Sequence, residues 1–74
     1  MRKYAAVIER PNSERNWISN VSLEKAVSWL VDNAVRGDVV FIDELHKDDY
    51  PTPVLQGRLD VLHAFLKALI GLCF

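Results

Sequence analysis

The sequence predicts a small α+β domain: a β-β-α-β-α chain that folds into a three-stranded, mainly antiparallel sheet packed against two helices. Three observations predict it: an alternating opening segment, a period-3.6 apolar stripe in the middle, and a continuous β-branched run after that stripe. With 74 residues there is room for one core, so the chain is read as a single domain over 1–74.

Lys3 to Arg10 alternates, with Tyr4, Ala6 and Ile8 on one side and Ala5, Val7 and Glu9 on the other. Pro11 to Asn16 is turn chemistry, because proline lacks a donor and Asn and Ser bond their own backbone. Trp17 to Val21 then reads as a second strand, hairpin-paired with the first. Ser22 is suited to cap a helix, since its hydroxyl can accept from an orphan amide of the first turn, where Glu24 favours the helix dipole. Leu23, Ala26, Val27, Leu30, Val31 and Ala34 recur on one face, and Arg36-Gly37 closes the helix. Asp38 to Asp43 encloses four apolar residues in a row, which suits a strand covered on both faces. Leu45 to Pro53 reads as an acidic loop bracketed by prolines. A second helix is expected from Val54 to the end, with Gln56, Asp60, His63 and Lys67 as its polar stripe. No internal repeat or interdomain linker is visible in the residues.

Composition narrows the function classes. Cys73 is the only cysteine, so no intrachain disulfide can form, and Cys73, His46 and His63 lack the spacing of a zinc site. No metal or other cofactor is expected. A formal charge of −1 and a pI near 6.0 give no basic excess for a nucleic-acid backbone. The opening is charged too early for a signal peptide, and Arg58, Asp60, His63 and Lys67 interrupt the apolar stretch from Val54 to Phe74. The expected compartment is the cytoplasm, with no membrane association.

Val39-Val-Phe-Ile-Asp-Glu44 resembles the Walker B segment of AAA+ ATPases. That resemblance implies that Asp43 would organise magnesium and Glu44 would polarise the attacking water. The sequence contains no G-x-x-x-x-G-K-[ST] string, and without such a loop two carboxylates repel a nucleotide. The residues are therefore read as a strand ending in solvated carboxylates, in a protein that is not an enzyme. Tyr4-Ala-Ala-Val-Ile-Glu9, a turn, Trp17 and Ser22-Leu-Glu-Lys-Ala-Val27 together are similar to the partial RNase-H-like domain of HicB-type antitoxins. The Leu-Pro-Gly turn of that family is absent from the string. What the similarity implies is a topology, and a dimeric regulator with a tightly bound partner.

Charge is uneven along the chain. Residues 38–49 hold five acids against Lys47, whereas residues 1–15 hold Arg2, Lys3, Arg10 and Arg15 against Glu9 and Glu14. Such asymmetry orients an encounter with a basic partner surface. Trp29 lies off the apolar stripe of its helix, as an edge-of-core residue or as a contact residue. The expected function is a non-catalytic protein-binding module, similar in size and character to the inhibitors that phages and mobile elements direct at host complexes, anti-CRISPR proteins among them. Its contacts would be Trp29, Glu44, His46, Asp48, Asp49 and Tyr50. A self-assembling structural subunit is the alternative, with a homodimer formed through Leu62, Phe65, Leu66, Leu69, Ile70 and Phe74 of the C-terminal helix.

Overall fold

The computed structural model describes residues 2–60. Within them the chain runs β1 (Lys3–Glu9), β2 (Arg15–Val21), α1 (Leu23–Asn33), β3 (Val39–Leu45) and β4 (Thr52–Arg58). The strands form one antiparallel sheet in the order β2-β1-β3-β4. The α+β class and the antiparallel sheet are as expected, and β3 lies centrally beside β1. The element count differs: the described residues hold four strands and one complete helix.

Pleating explains the core. Tyr4, Ala6 and Ile8 of β1 and Val40 and Ile42 of β3 are buried on the face that carries α1. The helix contributes Ala26, Val27 and Leu30 to that cluster, while Leu23, Val31 and Ala34 pack around it. Ser22 Oγ accepts from the Lys25 amide at 3.1 Å and so caps the helix as its residue type predicts.

The helix stops at Asn33, short of Arg36-Gly37. Three bonds end it early. Asn33 Nδ2 donates to the Trp29 carbonyl at 2.8 Å, Arg10 Nη2 donates to the Asn33 carbonyl at 3.2 Å, and the Val35 amide donates to Asp38 Oδ2 at 2.9 Å. The Asp38 amide closes a turn onto the Val35 carbonyl at 3.1 Å, with Gly37 at φ +98° in its third position. That conformation favours glycine.

The larger correction concerns residues 52–58, where the expected loop end and helix start are β4. Leu55 pairs with Ile42 and Gly57 with Val40, continuing the rows of the sheet. Gln56 therefore belongs to a strand and cannot share a helical stripe with Asp60. The physical reason is the outer edge of β3, whose backbone groups need a partner that a helix cannot supply. Beyond β4, Leu59 and Asp60 are helical, and Leu59 is buried with its amide donating to the Asp38 carbonyl at 2.8 Å. The remaining part of the expected second helix, including Leu62, Phe65, Leu66, Leu69, Ile70 and Phe74, lies outside the described residues.

Candidate functional site

The sheet has two unlike faces. On the face opposite α1, among the described residues, the pairings Trp17–Val7, Val7–Phe41 and Phe41–Gln56 lay a row across all four strands. Three of its four members are apolar. Trp17 is 63% exposed, and Val7 and Phe41 are half-buried. One row away, Arg15 Nη2 meets Glu9 Oε2 at 2.8 Å. On the other side of the apolar row stands Asp43, paired through the backbone with Ala5 and Pro53. Val7, Glu9, Arg15, Phe41 and Asp43 line a shallow depression of about 210 Å³ on this face. No ion pair to Asp43 occurs among the described residues, although Glu9 and Arg15 neutralise one another nearby. The face thus combines an apolar centre with one uncompensated carboxylate at its rim.

The structure separates the contacts expected from sequence into two groups. Glu44, His46, Asp48, Asp49 and Tyr50 gather at the β3–β4 end of the sheet, beside Lys3 and Val21. Trp29 instead packs on the edge of the core near the opposite end, lining with Ile8, Asn16, Ile18 and Asn33 a depression of about 410 Å³. Trp17, which residue spacing placed simply on one hairpin face, is the more exposed tryptophan. Its odd-numbered position opposite Val7 was the available signal.

The loop itself is tied to the strands. His46 Nε2 lies 2.7 Å from Thr52 Oγ1 across the β3–β4 turn, and the Tyr50 amide donates to Asp49 Oδ1 at 2.7 Å. Glu44 forms an ion pair with Arg2 at 3.3 Å. The charge asymmetry along the chain is thereby offset in part in the fold. Antiparallel pairing of Lys3 with Leu45 returns the basic N-terminal residues to the acidic end.

Asp43 and Glu44 both lie within β3, which continues to Leu45, and alternation directs them to opposite faces. No group of three or more His, Cys, Asp or Glu residues converges among the described residues.

A depression of about 720 Å³ is lined in part by Arg10, Arg15 and Arg58. Each of these cations already has a carboxylate. Arg15 meets Glu9, Arg58 Nε lies 3.6 Å from Asp60, and Arg10 lies within 4.0 Å of Glu14 and Asp38. The depression therefore offers no net positive field to an anion. No helix among the described residues is long and apolar enough to cross a membrane. No protein-family model matches the chain, and neither the curated proteins nor the solved structures searched contain a match.

Proposed function

We propose that the chain is a small non-catalytic protein-binding module whose partner docks on the sheet face opposite α1. The observation that carries this reading is the apolar Trp17–Val7–Phe41 row, with Trp17 exposed and Val7 and Phe41 half-buried, rimmed by Asp43, which has no ion-pair partner among the described residues. A flat aromatic and aliphatic centre gives contact area, and tryptophan is enriched among residues that dominate binding energy. The partner that fits is a protein segment presenting an apolar side chain over Val7 and Phe41 and a lysine or arginine to Asp43. Occupying one surface of a larger complex, as small phage and mobile-element inhibitors do, is the mode of action this reading implies.

The test compares capture from lysate and then titration of the purified captured protein, using wild type, Asp43→Lys, Phe41→Ser and a control carrying Asp48→Lys with Asp49→Lys. Circular dichroism first establishes that each variant is folded. The expected result is one saturable partner, retained by the control and weakened at least about tenfold by either face variant, a loss of roughly 1.4 kcal/mol. Loss in the control with retention in both face variants would place the contact on the acidic loop and overturn the reading.

A further inference from the structure

The two edges of the sheet differ, and the difference points to a second copy of this chain. β4 is a guarded edge. Its pairing with β3 shifts register between Ile42 and Asp43, and Pro53 opposite Asp43 has no N–H to offer. β2 has no proline, and its own register shift against β1 falls at its far end, between the Ala6–Ile18 and Tyr4–Val21 pairs; among the described residues nothing pairs with its outer side.

The direction of the free β2 groups follows from the hairpin. The Arg10 amide donates to the Glu14 carbonyl at 2.8 Å, so Arg10–Glu14 is a hydrogen-bonded pair. Alternation makes Ile8–Asn16 and Ala6–Ile18 hydrogen-bonded too, leaving Arg15, Trp17 and Ser19 with N–H and C=O directed outward. Asn20, at φ +61°, breaks the extended run beyond Ser19.

From this edge we infer that two chains pair through β2, antiparallel, about a two-fold axis at Trp17. The register is constrained from both sides. Outward-directed residues must meet outward-directed residues, and the run must stop before Asn20. Centring on Trp17 uses the whole regular segment, with Trp17 opposite its own copy and Arg15 opposite Ser19. A residue opposite itself is the isologous arrangement that closes a dimer. Charge permits this register. Arg15 is the only charged residue of β2, and the two copies lie four residues apart, roughly 14 Å, beyond the screening length at physiological salt.

The consequence is an eight-stranded sheet. The two Trp17 side chains form a cross-strand aromatic pair on the face opposite α1. The partner's Ile18 falls opposite Asn16, which lines the depression beside Trp29. The dimer also joins two Phe41–Val7–Trp17 rows into one apolar stripe. This inference does not rest on the proposed docking face, and the Asp43→Lys test can fail without affecting it.

The test is sedimentation of the full chain, with variants chosen to separate this edge from the C-terminal segment. Wild type is expected to sediment at twice the monomer mass at micromolar concentration. Ser19→Pro, which removes an outward donor and no bond to β1, is expected to give a folded monomer, while Leu66→Lys remains dimeric. In a Cys73→Ser background, Trp17→Cys should oxidise to a covalent dimer, because hydrogen-bonded antiparallel pairs stand about 5.5 Å apart at Cα. Asn16→Cys, which would face Ile18, should not. A monomeric wild type, a dimer that survives Ser19→Pro but dissociates in Leu66→Lys, or equal cross-linking at both positions would overturn the proposal.

Discussion

Asp38 carries more of the structure than any other polar side chain described. It is 1% exposed, and its carboxylate accepts from the Val35 amide while standing 3.5 Å from Arg10 Nε. That guanidinium nitrogen is buried and has no aligned hydrogen bond, so the contact is chiefly Coulombic. Arg10 in turn holds the last carbonyl of α1, so one ion pair joins the first hairpin, the helix end and the start of β3. Removing a buried partner leaves the other charge uncompensated, which typically costs about 3–5 kcal/mol. Arg10 keeps partial access to water, so Asp38→Ala is expected at the low end, about 3 kcal/mol, in urea unfolding. Asp38→Asn retains an acceptor for the Val35 amide but leaves the Arg10 charge uncompensated all the same, so it should lose nearly as much. A markedly smaller loss in Asp38→Asn would show that the hydrogen bond, and not the charge, dominates.

At the scale of elements, α1 is set by its two ends. Ser22→Ala is expected to destabilise the protein by about 1 kcal/mol, with Ser22→Asp close to wild type, because the cap accepts a backbone amide in either case. Gly37→Ala should cost about 1–2 kcal/mol. A Cβ there would meet no atom within 4 Å, so the penalty comes entirely from the positive φ. Denaturant midpoints check both, and a Gly37→Ala loss below a few tenths would mean that the turn relaxes to another form. β4 shows the opposite situation, an element with little local preference of its own. Thr52-Pro-Val-Leu-Gln-Gly-Arg58 contains a proline and a glycine, and it is a strand because β3 supplies its ladder.

For the whole molecule, opposite charges lie together at both ends of the sheet, and Arg2–Glu44 and Arg10–Asp38 join residues distant in sequence. Arg2 meets Glu44 at one end, and Arg10, Arg15 and Arg58 meet Glu14, Asp38, Glu9 and Asp60 at the other. Most of these pairs are exposed and each contributes about 0–1 kcal/mol. Stability measured in dilute buffer and in about 1 M salt, where screening reaches ~3 Å, should accordingly differ by less than about 1 kcal/mol. A larger loss would reveal a more cooperative charge network than the distances suggest. The hairpins β1–β2 and β3–β4 are also related by an approximate two-fold axis, since the central strands pair symmetrically about Ala6 and Ile42. No repeat is visible in the residues because Tyr4, Ala6 and Ile8 correspond to Val40, Ile42 and Glu44.

Local chemistry by itself determined β1, the hairpin turn, the Ser22 cap, the buried stripe of α1 and the apolar β3, because each depends on periodicity or on bonds a few residues apart. The same reasoning extended a helix back through residues 54–58, where Val54 and Leu55 satisfy either period in so short a run. Only the tertiary structure decided that case, since the unpaired edge of β3 is a demand made by a distant segment. It also decided the fate of Asp38, the pairing of Arg2 with Glu44 at the acidic end, and the exposure of Trp17 on the face opposite α1. Each of these depends on antiparallel register, which brings together residues up to about forty positions apart, beyond the reach of any local pattern.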